Sequence, residues 1–189
     1  MIATFKKIEA FTREEITGLV VAQHKALDKD LELVGERLGT RSEHQWDLVG
    51  IDRDGRLVLI TVEVHPADRI LSQLLGRLDW AWEHLTAFAR MYPGYAVDCN
   101  QLPRIIVLAP SYSPNFTKSI SYLNYRVCIR LFTYQYLKTD AERGLLIDEQ
   151  EVKVKYDRIL TSEKRKIKSL ELPATAKVTT EEIMEFLQG

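Results

Sequence analysis

Apolar positions recur along the chain in two periods, and the places where the period changes outline the elements. Thr12 with Glu15 three residues later forms a capping-box pattern, and Ile16, Leu19, Val20, Gln23 and Leu27 follow at helical spacing, which predicts a first helix over 13–27. Leu31 to Leu38 alternates as a strand and ends at the punctuation of Gly39 to Ser42. The run from Trp46 to Ile51, the turn residues Asp52-Arg53-Asp54-Gly55, and the run from Arg56 to His65 then read as a β-hairpin. Its second arm is apolar on both faces until Glu63 and His65, the pattern of a central strand covered on both sides.

Pro66 suits the first turn of a helix, and Ile70, Leu71, Leu74, Leu75, Leu78, Trp82, Leu85 and Phe88 continue at helical spacing to the breaker Pro93-Gly94. Arg104 to Ala109, bounded by Pro103 and Pro110, predicts a buried strand. Ser113-Pro114 predicts a capped helix to about Leu123, and Val127 to Tyr134 a further strand. The order is α-β-β-β-α-β-α-β, an α/β fold with a mixed central sheet of about five strands flanked by helices. The main domain is placed at 1–140 and a C-terminal extension at 141–189, with strand character at Glu151 to Tyr156 and a short helix at Thr180 to Leu187 that could pack on the domain or form a homodimer contact.

The chain has 189 residues, 46% hydrophobic and 28% charged, the usage of a folded globular protein that can bury a core without staples. Cys99 and Cys128 lack metal-ligand spacing and read as reduced and buried. The first ten residues carry Lys6, Lys7 and Glu9 rather than a signal peptide's apolar stretch, and no run is long enough to span a bilayer, so the expectation is cytoplasmic residence without membrane contact. The net charge of -1 does not mark the whole chain as a polyanion binder. The local exception is Lys153 to Lys168, with seven basic residues against two acidic ones, which reads either as a solvated connector or as a phosphate-facing patch. Later aromatics such as Tyr112, Phe116, Tyr122, Tyr134 and Tyr136 read first as core and second as base-stacking residues.

Asp47 and Glu63 stand on the two arms of the hairpin, in otherwise apolar strands. A three-residue turn centred on Gly55 would set them opposite each other on one face, whereas a two-residue Asp54-Gly55 turn would set Asp47 against Val62 and separate them. Two adjacent carboxylates repel and lose hydration, so a shared face calls for a cation, and a hard divalent ion suits carboxylate oxygens. His65 follows Glu63 at i+2 and so shares its face, where an imidazole could orient or deprotonate a metal-bound water or ligate a softer metal; a strand-end histidine bonded to a carboxylate is the plainer alternative.

The segments Trp46-Asp47-Leu48-Val49-Gly50-Ile51-Asp52 and Val62-Glu63-Val64-His65, with the later Ile105-Ile106-Val107-Leu108-Ala109-Pro110-Ser111, resemble the PD-(D/E)xK nuclease superfamily, in particular its NucS-like endonuclease branch, over about residues 13–136. The resemblance implies a restriction-endonuclease-like fold and a Mg²⁺- or Mn²⁺-dependent phosphodiesterase acting on DNA, single-stranded or branched forms included. Asp47 and Glu63 would be ligands, helped by the Val64 carbonyl. His65 stands where the family has lysine, and a histidine is only partly protonated at neutral pH. Gln73 is similar to the glutamine that follows the motif on a helix, and Arg77 stands where an aromatic is common and could meet phosphate; both also suit an exposed helix face. Glu15 is a candidate for an acidic group from the first helix, beside its capping role. Three classes of function follow: an active nuclease, an inactive relative that binds nucleic acid or protein, and an interaction domain whose carboxylates simply pair with neighbouring Arg or Lys.

Overall fold

The computed structural model describes residues 6–7, 11–39, 45–67, 70–124, 126–138 and 143–153. They belong to one compact unit, Met1–Val154. The basic run beyond Lys153 and the helix expected at Thr180 to Leu187 lie outside the described residues, as does most of the expected strand at Glu151 to Tyr156.

Helix α1 spans Arg13–Gln23, and its capping box is complete. The Glu15 N–H donates to Thr12 Oγ1 at 3.2 Å, and the Thr12 N–H donates to Glu15 Oε2 at 3.0 Å. The helix stops four residues before Leu27 and passes into a 3₁₀ turn, His24–Ala26, that carries Leu27 into the core. Strands β1 (Lys6–Lys7), β2 (Glu32–Leu38), β3 (Trp46–Ile51), β4 (Leu57–Val62), β5 (Arg104–Ala109), β6 (Ile129–Lys138) and β7 (Arg143–Gln150) form one sheet. Helices α2 (Leu71–Glu83) and α3 (Leu85–Met91) lie between β4 and β5 in the chain, and α4 (Pro114–Leu123) between β5 and β6.

The expected α-β-β-β-α-β-α-β order is present as α1-β2-β3-β4-α2/α3-β5-α4-β6. The strand order is β1-β6-β5-β4-β3-β2, with β7 also on β6. Pairs β2·β3, β3·β4 and β6·β7 are antiparallel, and β4·β5 and β5·β6 are parallel. Among the described residues the sheet thus has seven strands, where about five were expected. It also passes the boundary expected at 140, because all eight residues of β7 pair with β6 from Leu131 to Lys138.

Two apolar clusters cover the two faces of the sheet. Leu57 and Leu59 of β4 join Leu74, Leu78, Ala81, Leu85 and Phe88 of α2 and α3 and Phe116 and Ile120 of α4. Val58, Ile60 and Val62 join Ile16 and Val20 of α1. Alternate residues of one strand feed opposite clusters, as a central strand requires. Phe116, Tyr134 and Tyr136 are core residues, while Tyr122 is exposed.

The single helix expected from Pro66 begins later, at Leu71, and is broken at His84. Before it starts, the Ala67 N–H donates to the Ser111 carbonyl at 3.2 Å, tying this segment to the β5–α4 connection. At the break, His84 leaves helical angles (φ -101°, ψ 10°), and its ring bonds the Trp80 carbonyl at 2.8 Å and stacks on the indole. Among the described residues no helix is long and apolar enough to cross a membrane. Both cysteines are free and half-buried.

Candidate functional site

The β3–β4 turn fixes where the two acids meet. Ile51 pairs with Leu57, Gly50 with Val58, Val49 with Leu59 and Leu48 with Ile60. The Asp52 N–H donates to the Arg56 carbonyl at 3.1 Å, leaving a three-residue loop, Arg53 to Gly55. Asp52 Oδ1 accepts from the N–H groups of Asp54 and Arg56, and Gly55 takes the left-handed position with φ +77°. This is the three-residue hairpin in which a left-handed residue closes the turn. Its centre is Asp54, one residue earlier than expected, so the register moves by two and Asp47 falls opposite Thr61 instead of Glu63.

The regular ladder ends at the Leu48–Ile60 pair, and the Asp47 side chain takes over. Its Oδ2 accepts from the Val62 N–H at 2.8 Å and from Thr61 Oγ1 at 3.2 Å, replacing a main-chain acceptor for a buried strand donor. β4 ends at Val62, and the Glu63 N–H still bonds the Leu108 carbonyl of β5 at 2.7 Å. The chain then bends at Val64 and His65. The strand therefore does not reach His65, and face-sharing between Glu63 and His65 is lost. His65 is exposed, and among the described residues no hydrogen bond joins its ring to either acid. Val64 is half-buried and packs against the α1-side cluster.

The two carboxylates nevertheless converge on one cation, the guanidinium of Arg13. Its Nη2 lies 2.9 Å from Glu63 Oε2 and its Nη1 3.5 Å from Asp47 Oδ1. The acids' side chains are 14% and 17% exposed, and that of Arg13 is 40% exposed. Arg77, half-buried on α2, belongs to the same electrostatic cluster. Burial lowers its pKa, the charges of Asp47 and Glu63 act to raise it, and Arg13 adds to the lowering. Two carboxylates and two guanidiniums make the cluster formally neutral.

Tyr134 donates its hydroxyl to the Glu63 carbonyl at 2.9 Å, fixing the backbone where β4 ends. Burial, with the Glu63 charge beside it, pushes the phenol's pKa well up, so it acts as a donor throughout the ordinary pH range. Tyr112 is held by the Val107 and Phe132 carbonyls, and burial likewise raises it. A groove of about 350 Å³ opens beside Asp47, lined in part by Arg13, Thr17, Gly18, Arg37 and Gln45.

Asp47, Glu63 and Arg77 are thus brought together, with Gln73 exposed one turn before Arg77. Glu15 is not part of the group: its carboxylate closes the α1 cap and lies 3.5 Å from Arg143 Nη1. Arg13 and Thr61 were not singled out from sequence, although each leaves a trace. An arginine at the first helical position opposes the helix dipole, which favours acids there, so another interaction must hold it. Thr61 is a hydroxyl inside an apolar run and is fully buried.

Two carboxylates facing one cation are the kind of oxygen donor pair that a hard cation retaining several waters accepts. Among the described residues, no group of three or more His, Cys, Asp or Glu side chains gathers. All-oxygen donors suit a hard cation better than a soft one, and Asp47 Oδ1 and Glu63 Oε2 are the oxygens that face Arg13.

No protein-family model matches the chain, and no curated protein does. Among solved structures, it is similar to a repair endonuclease from Pyrococcus abyssi at 16% identity and a TM-score of 0.42, covering 67% of this chain and 49% of that one. It is similar to EndoMS in a complex described as EndoMS-dsDNA2 at 15% identity and a TM-score of 0.41, covering 67% and 46%. The chain thus spans about half the length of these two proteins. A protein of unknown function from Silicibacter pomeroyi, SPO1766, is similar at 14% identity and a TM-score of 0.32, covering 89% of this chain and 97% of that one.

Proposed function

We propose that this chain is a nuclease-like domain that acts on DNA through the acids at the end of its central hairpin. The carrying observation is that Asp47 of β3 and Glu63, just past the end of β4, reach a single cation with one oxygen each. Charges so disposed can hold a divalent ion, and the sequence resemblance supplies the substrate class. Mg²⁺ or Mn²⁺ bound there would polarise a phosphodiester and lower the pKa of an attacking water.

The chain's own residues set the geometry. The Asp47 carboxylate is anchored through Oδ2 to Val62 and Thr61, which leaves Oδ1 turned outward. Tyr134 holds the Glu63 backbone. Arg77 and Gln73 present a positive and a polar group from α2, suited to phosphate oxygens and to positioning the backbone. The test is cleavage of single-stranded, branched and mismatched DNA with Mg²⁺ or Mn²⁺, comparing the natural protein with Glu63→Gln and Asp47→Asn. Turnover lost in both variants supports the reading. Equal, weak Mn²⁺ binding by all three proteins removes the metal site.

One observation favours a second reading, a domain that binds DNA without cutting it. His65 lies beyond the bend and is exposed, so the group standing in for the family's lysine does not bond the acids. Binding without cleavage, with an affinity that falls steeply with salt, would identify this case.

A further inference from the structure

We infer that Arg13 is an internal competitor for the divalent cation, a guanidinium that must leave the acids before the ion can enter. This rests on the metal-site reading above and concerns what regulates that site. Asp47 has one oxygen committed to Val62 and Thr61, so Oδ1 is its outward donor, and Arg13 Nη1 faces that atom. Glu63 Oε2 is taken by Arg13 Nη2. Guanidinium and ion would use the same outward edge of the pair.

Both cannot stay. A divalent ion between the acids would sit within a few ångströms of the guanidinium carbon, in a place where two carboxylates and Arg77 already balance a +1 charge. The acids are largely buried, so water would screen that repulsion poorly. Arg13 also has somewhere to go. Its side chain is 40% exposed, it stands on the first turn of α1, and it borders the groove with Thr17 and Gly18, where a side chain placed on Gly18 would meet nothing within 4 Å.

The competition has a quantitative signature. If the acids are open to the ion in only a fraction of molecules, the apparent dissociation constant is the intrinsic one divided by that fraction. Were Arg13 to bridge about nine molecules in ten, its removal would tighten binding about tenfold.

The experiment is calorimetric titration of the full chain with Mn²⁺ for the natural protein, Arg13→Gln, Arg13→Lys and the double variant Arg13→Gln/Glu63→Gln, each first checked by thermal melting. Arg13→Lys retains the charge without the two-pronged fork, so it stands in should Arg13→Gln fail to fold, and it should bind Mn²⁺ more tightly than the natural protein by a smaller factor. The expected result is roughly tenfold tighter binding in Arg13→Gln, abolished in the double variant. Equal affinity in the natural protein and both single variants overturns the competitor role while leaving the metal site standing. No Mn²⁺ binding by any of them overturns both. An independent readout is the Arg13 side-chain NH resonance, which should lose its hindered-rotation signature when diamagnetic Mg²⁺ is added, and an unchanged signal in a protein that binds Mg²⁺ would contradict displacement.

Discussion

Replacing Asp47 separates its structural from its chemical role. In Asp47→Ala the Val62 N–H and the Thr61 hydroxyl, both on fully buried residues, lose their carboxylate acceptor. Arg13 keeps Glu63 but loses its weaker contact. An unsatisfied buried donor costs about 1–3 kcal/mol, and the hydroxyl can rotate to recover part of its share, so the total is about 3 kcal/mol. With a urea slope of about 2 kcal/mol per molar, the unfolding midpoint should fall by about 1.5 M. Asp47→Asn keeps a carbonyl oxygen for the Val62 N–H and loses mainly charge, for about 1 kcal/mol. The assay is urea unfolding followed by tryptophan fluorescence, since Trp46 is fully buried beside the substitution. Midpoints for Asp47→Ala and Asp47→Asn that agree within about 0.2 M would refute the idea that this carboxylate completes the sheet. The practical consequence concerns metal titrations. Loss of Mn²⁺ binding in the alanine variant mixes a damaged strand end with a missing ligand, whereas the asparagine variant reports on the ligand.

Other consequences are more local. Gly55→Ala should destabilise the fold by about 2 kcal/mol, because alanine is strained at φ +77° and its Cβ would clash with the Ala96 carbonyl oxygen; a chemical-unfolding midpoint matching the natural protein would contradict this. Tyr134→Phe removes the bond to the Glu63 carbonyl and should cost about 1 kcal/mol in the same assay, with no cost expected if that bond does not form in solution. At the opposite end of the parallel strands, partial burial of Asp28 acts to raise its pKa, but the Asp30 N–H and the guanidiniums of Arg104 and Arg130 outweigh this and hold it below the ordinary value. The hydrogen bonds and charge of Arg130 do the same for Glu149. Carboxylates with depressed folded-state pKa values stabilise the fold above their unfolded values, about 3.9 and 4.3, and that stabilisation is lost as pH falls through the lower folded values. Melting temperature should therefore drop steeply from about pH 5 downward, and Asp28→Asn should flatten that limb while lowering the neutral-pH melting temperature; an unchanged acid limb would show that the network adds nothing.

The elements were legible wherever burial sets a period. The alternation through β4, the capped starts of α1 and α4 and the stripe along α2 and α3 all follow from one or two covered faces. Illegible features depended on contacts distant in sequence. Pro66 has the local chemistry of a helix start, yet its neighbour Ala67 is bonded to Ser111, and no local pattern encodes that. The strand β7 reads as polar, with a burial pattern that is mostly exposed, because an edge strand needs little apolar surface to pair through its backbone. Arg13 is illegible for a related reason. Its partners are 34 and 50 residues away, and its only sequence trace is a charge placed against the helix dipole.

The register error at the hairpin explains why the paired acids survive it. A slip of one residue would turn Asp47 to the other side of the sheet, whereas the observed displacement of two keeps its face and moves it only along the strand. What then closes the gap is termination: the ladder stops at Leu48 and Ile60, Asp47 turns its carboxylate to the freed Val62 N–H, and Glu63 sits just past the last residue of β4. Residues inside a regular ladder are held to its spacing, but residues at a fraying end can lean together. Gly55 controls this arrangement from a distance, because its left-handed angle selects the three-residue loop that sets the parity. A replacement that converted the loop to two residues would separate Asp47 from Glu63 without touching either.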